Sequence, residues 1–265
     1  MKSRLLVSAV GIPVLLYVVL WAPPLVMMGA LCILAGIAAM ELMQCVGVQK
    51  NNYLFGWTMI CAVFSVTWYY DRPDHMEILW FLYVAVAFLY AIFKAGEVRF
   101  FHITAGIFAV VVIPYAFSAF VRMEDAGIHR SYLLLPFILS FMSDTGGYFA
   151  GRAFGKHKLA PKVSPKKTVE GSVGGVVGNV LGAVAFTFVM DRFLGGGIGY
   201  GPMVLLGVLC SAAAQVGDLS FSLIKREFGI KDYGHLFLEH GGVLDRFDSV
   251  LFVTPLIEIV LSFVR

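Results

Sequence analysis

The sequence has little charge for its length. Only 14% of its 265 residues are charged, whereas 59% are hydrophobic, and the mean hydropathy is +0.84. Soluble globular domains are about half apolar and about a quarter charged. This shortage of charge excludes an ordinary soluble domain and predicts a chain that crosses a membrane several times.

The sequence also lacks the usual signs of zinc binding, disulfide bonding and signal cleavage. No CxxC pair or Cys/His cluster is present, so neither a zinc site nor a disulfide framework is indicated. The first apolar run begins near Leu5, and it is followed by the stretch from Trp21 to Pro24 instead of a small-residue cleavage site. We therefore expect a retained membrane anchor. The four cysteines all lie in apolar runs: Cys32, Cys45, Cys61 and Cys210.

Nine apolar runs are each near the roughly 20 residues that a helix needs to cross the hydrocarbon core. They predict spans at about 5–21, 24–46, 53–70, 76–93, 101–121, 131–151, 169–190, 202–224 and 249–264. We expect an all-α, polytopic membrane helix bundle that forms one integral membrane domain over residues 1–265. Residues 1–130 hold five spans with plain loops, whereas residues 131–265 hold nearly all the unusual polar residues and form the predicted catalytic part.

Lysine and arginine are distributed unevenly between the two sides of these spans. With nine spans, 15 of the 20 Lys and Arg fall on the side of the N-terminus and five on the other side. Cytoplasmic loops are enriched in these residues. The distribution predicts a cytoplasmic N-terminus, motif loops that face the cytoplasm, and a location in the inner (cytoplasmic) membrane.

Two predicted spans contain aspartates at unusual depth. Asp144 lies in the sixth span and Asp218 in the eighth. Carboxylates in such places are costly unless they bind a cation or pair with one. Asp218, Ser222 and Lys225 have offsets of four and seven, so they share one helix face. This face fits either a buried ion pair or a site for a metal and a phosphate.

The segment before the seventh span is rich in lysine and hydroxyl groups. Residues 155–171 hold five lysines and two hydroxyl residues. Ser164, Lys166, Lys167 and Thr168 come just before the span, so the N-terminus of that helix would point at a ligand that they hold, which suits phosphate. The same charge would also suit anionic lipid head groups. The ordered Ser-Pro-Lys-Lys-Thr run favours the phosphate site.

Two more aspartates, Asp245 and Asp248, precede the last span and are offset by three, so they can face the same way. With Asp218 they offer up to three hard oxygen ligands. Mg²⁺ prefers such carboxylates, keeps some water and takes its other ligands from substrate phosphates. A second cation is left open. His240 could donate to a phosphate or cap a glycine turn.

Other unusual residues are interpreted as packing groups. Gly174, Gly178 and Gly182 repeat every four residues and form one smooth helix face, which predicts close helix contact. Glu41 and Glu258 are isolated acids in apolar spans, and we interpret them as helix-contact or interface groups.

The stretch from Ser222 to Asp248, SLIKREFGIKDYGHLFLEHGGVLDRFD, resembles the signature of the phosphatidate cytidylyltransferases, also called CDP-diacylglycerol synthases. The upstream stretch SDTGGYFAGRAFGKHKLAPKVSPKKTVEG is similar to that family's second hallmark. The family commonly has Pro-Gly before the histidine, whereas this chain has Leu238 and Glu239. This difference alters the turn and adds a negative charge beside the proposed nucleotide site.

The resemblance implies that CTP and the membrane lipid phosphatidate react to form CDP-diacylglycerol and pyrophosphate. It implies catalytic roles for Asp218, Asp245, Asp248 and Lys225, with Mg²⁺ held by these aspartates and Asp144. The residues expected to bind substrate are Ser164, Lys166, Lys167, Thr168, Arg226, Lys231, His240 and Asp144. No nucleic-acid partner is expected, and a homodimer is left open.

Two other functions fit part of the pattern. An ion-coupled transporter would explain Asp144 and Asp218, but not the Ser-Pro-Lys-Lys-Thr run, and the sequence lacks the matching halves typical of transporters. A polyprenol or phytol kinase would move the γ-phosphoryl group of CTP to a hydroxyl and would need a general base. CTP labelled at the α-phosphorus separates the two CTP-dependent reactions, because only cytidylyl transfer labels the lipid.

Overall fold

The structure, a computed structural model, describes residues 2–48, 52–71, 75–195, 197–234, 236 and 241–264. Within these ranges nine helices follow the nine predicted spans, which confirms the all-α polytopic architecture. Seven of the described helices are long and apolar enough to cross a membrane, and two shorter apolar stretches lie at Ala9–Leu20 and Tyr53–Tyr69. The helices are α1 Lys2–Leu20, α2 Pro24–Cys45, α3 Tyr53–Asp71, α4 Met76–Phe93, α5 Phe100–Asp125, α6 Arg130–Phe154, α7 Val169–Leu194, α8 Tyr200–Glu227 and α9 Leu244–Val264.

Local chemistry explains where several helices begin and end. Pro24 lies in the first turn of α2, where its missing N–H has no helical partner to lose. α6 begins with a 3₁₀ turn, and Pro136 lies in the first turn of its α-helical part. Gly195 and Gly229 follow α7 and α8 with φ of 64° and 70°, the left-handed conformation that ends many helices.

The chain forms two compact units. The first contains the described residues of 1–126 and 227–246, which include α1 to α5 and the start of α9. Small side chains of α2, such as the buried Ala35 and Ala39, allow close helix packing there. Thr58 of α3 and Tyr83 of α4 join their hydroxyl groups at 2.9 Å in the buried interior. The single-domain organisation and the division near residue 130 stay predictions.

The second unit contains the described residues of 127–226 and from 247 onward, with α6, α7, most of α8 and most of α9. Its α6 and α7 lie backbone to backbone. A Cβ added at Gly178 would lie 2.5 Å from the Met142 carbonyl oxygen, and one at Gly182 would lie 2.9 Å from Met142 Cγ. A Cβ at Gly174 would lie 2.7 Å from the Gly146 carbonyl oxygen. These contacts confirm that the glycine face is a packing surface.

The segment between α6 and α7 is more ordered than the loop that the sequence predicted. It forms an antiparallel hairpin of β1 Lys158–Ala160 and β2 Ser164–Thr168. Pro161 occupies the second position of the connecting turn, which proline favours. The Val163 N–H donates to the Ala160 carbonyl at 3.1 Å and closes this turn. The hairpin holds the lysines in a defined register.

Candidate active site

A cavity of about 360 Å³ lies among α6, β2, α7 and α8 in the second unit. This volume is within the range of small-molecule sites. The cavity brings four predicted site residues together: Asp144, Lys166, Lys167 and Thr168. The remaining lining residues are Ser143, Gly147, Tyr148, Gly151, Arg152, Leu159, Gly171, Ser172 and Gln215.

The N-terminus of α7 faces this cavity. Thr168 caps the helix, because its Oγ1 accepts the Gly171 N–H at 3.1 Å. Gly151 and Gly171 leave the backbone uncovered, and a Cβ at either would lie 3.0 Å from Thr168 Oγ1. The helix dipole and the nearby lysines form an arrangement that suits a phosphate.

Glu170, in the first turn of α7, accepts hydrogen bonds from the residues that precede the hairpin. Its Oε2 accepts the backbone N–H groups of Lys156 and His157 at 3.1 and 3.2 Å. Its Oε1 lies 2.7 Å from His157 Nδ1. Nothing in the sequence predicted this role of Glu170. The contact explains how a hairpin with strands of only three and five residues is held beside the cavity.

Asp218 of α8 contacts two polar side chains, those of Lys167 and Ser222. Its Oδ2 forms an ion pair with Lys167 Nζ, and its Oδ1 accepts the Ser222 hydroxyl at 3.2 Å. The side chains of Lys167 and Asp218 are each about a quarter exposed, so the pair lies at the edge of the protein interior. Asp218 and Ser222 therefore share one helix face, as their offset of four predicts.

Gly217 brings α8 and α9 into contact beside Asp218. A Cβ at Gly217 would lie 2.6 Å from the Asp248 carbonyl oxygen. One turn away, the Ser249 hydroxyl donates to the Ala214 carbonyl at 3.2 Å. The Asp248 carboxylate consequently lies within electrostatic range of Asp218, Asp144 and the buried Lys225, the last of which is 9% exposed.

These groups match Mg²⁺ by chemistry. Asp248 lies within electrostatic range of Asp218 and of Asp144, which lines the cavity, and Mg²⁺ is commonly bound by one or two carboxylates plus substrate phosphates. Over the described ranges, no three His, Cys, Asp or Glu side chains form a ready metal cluster. The Lys167 ammonium instead neutralises Asp218. The assignment of Asp144, Asp218, Asp245 and Asp248 as metal ligands stays a prediction.

Asp245 has a local structural role in the first unit. Its Oδ2 accepts the backbone N–H groups of Tyr233 and Gly242 at 2.7 and 3.0 Å. These bonds hold together the two ends of the segment that precedes α9. The sequence predicted only a metal ligand here.

The other predicted residues are more peripheral. Arg226 is exposed, and its Nε donates to the Val163 carbonyl in the hairpin turn at 3.4 Å. Ser164 is half-buried in β2 opposite Ala160, and Lys231 is exposed after α8. His240, Leu238 and Glu239 lie outside the described residues.

A polar network crosses three apolar helices at the cavity, and nothing in the sequence predicted its contacts. The Ser172 hydroxyl donates to Gln215 Oε1. Gln215 Nε2 donates to the Ser172 carbonyl at 3.2 Å and to Ser211 Oγ at 3.1 Å, and Ser211 Oγ lies 3.4 Å from Ser143 Oγ. The available signal was the presence of these polar residues inside apolar runs.

The fold and the cavity define an integral membrane protein with a site suited to phosphorylated ligands. The chain belongs to the cytidylyltransferase family, whose model matches residues 2–264. The match includes the first 130 residues, where motifs are sparse.

Several similar proteins are named phosphatidate cytidylyltransferase. One from Staphylococcus epidermidis is 31% identical over 98% of this chain and 99% of that protein. One from Staphylococcus haemolyticus is 31% identical and one from Staphylococcus aureus is 32% identical, each over 67% of both chains. The resemblance inferred from the two sequence motifs is thus confirmed.

Proposed function

We propose that this chain transfers CMP from CTP to phosphatidate, giving CDP-diacylglycerol and pyrophosphate in phospholipid biosynthesis. The observation that carries the proposal is the cavity in which Asp144, Lys166 and Lys167 meet the N-terminus of α7. The printed names of the relatives support this choice of reaction.

The attacking group needs little chemical activation. A phosphate monoester has its second ionisation at about pH 6, so phosphatidate is largely a dianion near neutral pH. The protein must instead bring two anions together in line and support the charge that develops on the leaving pyrophosphate. We assign the first task to Lys166, Lys167 and the dipole at the N-terminus of α7, with Ser164 and Thr168 orienting the phosphates through their hydroxyl groups.

The acidic residues have a complementary task. We assign Asp218, Asp248 and Asp144 to Mg²⁺, and the sequence-based assignment of Asp245 is kept as a prediction. When bound, Mg²⁺ neutralises phosphate oxygens and orients them for displacement. We propose that Lys167 exchanges the Asp218 carboxylate for a phosphate oxygen when substrate binds. Further phosphate contacts are assigned to Lys225, Arg226, Lys231 and His240.

We propose that the site faces the cytoplasm and that the chain resides in the cell's inner membrane. The uneven distribution of Lys and Arg supports this orientation, with 15 of 20 on the side of the motif loops. CTP and phosphatidate are the proposed partners. A homodimer is the oligomeric alternative, and the mass of the protein in detergent measures it.

The test is an assay of the purified protein with phosphatidate and CTP labelled at the α-phosphorus. We expect label in the lipid when Mg²⁺ is present and no labelled lipid when EDTA removes it. CTP labelled at the γ-phosphorus is the matched control, and its label should leave as pyrophosphate. The opposite pattern, with α-label in CDP and γ-label in the lipid, would contradict the proposal and indicate phosphoryl transfer to a hydroxyl.

A further inference from the structure

A buried acid of α2 contacts the beginning of α9 within the first unit. Glu41 is 2% exposed. Its Oε1 accepts the Val243 N–H at 2.9 Å, and its Oε2 accepts the Leu244 N–H at 2.8 Å. A Cβ added at Gly242 would collide with the Glu41 carboxyl group. The glycine therefore leaves the space that the carboxylate needs.

This contact supplies a helix cap from a distant part of the chain. The first N–H groups of a helix lack partners, and a neighbouring Ser, Thr, Asp or Asn usually accepts from one of them. Here Glu41 accepts from two donors that are 202 and 203 positions away. A negative charge is also favoured at a helix N-terminus. Burial of the carboxylate is costly without such donors.

Two acids thus hold the same short stretch of backbone. Glu41 accepts from Val243 and Leu244, while Asp245 accepts from Tyr233 and Gly242. α9 begins within this stretch and carries Asp245 in its first turn and Asp248 three residues later. The anchored start of the helix therefore lies next to both aspartates in the chain.

We propose that Glu41 is a positioning residue for cytidylyl transfer, which fixes the first turn of α9 and with it the aspartates of that helix. The inference rests on the proposed function. It assigns to an acid of the sparse N-terminal half a part in chemistry that the sequence motifs place entirely in the C-terminal half.

The decisive variant is Glu41→Gln, which keeps the size of the side chain. The glutamine side chain has only one acceptor oxygen, and its NH₂ group would face a backbone N–H. One of the two hydrogen bonds from Val243 and Leu244 is therefore lost. Misplacement by about 1 Å can cost on the order of 100-fold in rate, and we expect kcat to fall by about that factor while KM for CTP changes less. We also expect hydrogen exchange at the amides of Val243 and Leu244 to rise by about tenfold, since one hydrogen bond contributes up to about that factor.

Two further variants separate positioning from general stability. Leu31→Ala removes a buried side chain from α2 ten positions before Glu41, and we expect it to lower the thermal midpoint while kcat stays within about twofold in assays below that midpoint. Gly242→Ala should reproduce the effects of Glu41→Gln, because the added Cβ displaces the carboxylate. If Glu41→Gln cannot be purified, Glu41→Asp, which is one methylene shorter, serves for the same measurements.

Wild-type kcat and wild-type exchange at Val243 and Leu244 in Glu41→Gln would overturn the proposal. An equal loss of kcat in Leu31→Ala would also overturn it, because the effect would then be one of stability alone. If the wild-type protein does not transfer CMP to phosphatidate, the proposed function fails, whereas the exchange measurement still decides whether Glu41 anchors α9.

Discussion

At the residue scale, Asp218 is the acid with the best-defined surroundings. It has an ion-pair partner in Lys167, a hydroxyl donor in Ser222 and a second carboxylate, Asp248, within electrostatic range. Lys167 also lines the cavity, so the pair connects the acidic residues of α8 and α9 with the proposed phosphate site. A lysine paired with a carboxylate in this way can serve either stability or substrate binding, and substitution of the acid distinguishes these roles.

We expect Asp218→Asn to lower kcat for cytidylyl transfer by about 100- to 1000-fold, the usual cost of removing one preorganised electrostatic group. The thermal midpoint should change little, because asparagine keeps the shape and can still accept from Ser222. Initial rates at saturating CTP and thermal unfolding in detergent provide the two measurements. Glu77→Gln is the matched control, since Glu77 is an acid with a 71% exposed side chain in α4. A rate within tenfold of wild type in Asp218→Asn would contradict a role in metal binding.

Substitution of Asp245 separates a metal-binding role from a structural role less clearly, although the sequence predicts a metal ligand at both Asp218 and Asp245. If Asp245 is a metal ligand, as the resemblance implies, Asp245→Ala should abolish transfer and leave the protein folded. The structure adds another reason for lost activity, because Asp245 accepts the N–H groups of Tyr233 and Gly242. Lost activity in that variant would therefore follow from either a missing metal ligand or a displaced loop.

At the element scale, the contact between α6 and α7 depends on the absence of side chains. Gly178 and Gly182 face Met142, and Gly174 faces Gly146. Transmembrane helices associate through such small residues, since lipid is as apolar as the side chains that would otherwise be buried. The close approach also places the first turn of α7 beside Asp144 and the hairpin.

Gly178→Ala tests this packing. The new Cβ would lie 2.5 Å from the Met142 carbonyl oxygen, a backbone atom that cannot move without shifting α6. We expect a loss of about 1–3 kcal/mol in the free energy of unfolding, as for other overpacked interiors. Thermal unfolding in detergent measures the change. Gly201→Ala in α8 is the control, because no atom lies within 4 Å of its added Cβ, and it should not lower the midpoint.

At the scale of the whole molecule, the nine spans predicted from the sequence place the two termini on opposite sides of the membrane as an expectation. The described helices agree with the nine predicted spans. The orientation is a prediction from the distribution of Lys and Arg. It determines whether cytosolic CTP reaches the proposed site directly.

Thiol labelling tests the orientation. In a background without the four native cysteines, Lys162→Cys should react with a membrane-impermeant reagent only in inverted vesicles. Arg192→Cys should react only from the outside of intact cells, because it follows the seventh span. Both positions are exposed in the structure. The reverse labelling pattern would contradict a cytoplasmic site.

The sequence by itself determined the features that depend on neighbouring residues. Hydropathy located the nine helices, spacing placed Asp218 and Ser222 on one face, and the glycine repeat identified a packing surface. These signals are local, because helical spans and side-chain offsets of three or four need no information about distant segments.

Only the tertiary structure decided which distant groups meet. The Lys167–Asp218 pair, the Ser172–Gln215 hydrogen bonds and the cap that Glu41 provides for α9 join residues that are far apart in sequence. Each depends on how closely two elements of the fold approach and which faces they turn toward each other. The sequence does not show whether an isolated acid such as Glu41 packs against a helix, pairs with a cation or caps a helix. Its physical role is set by the hydrogen-bond donors that folding brings to it.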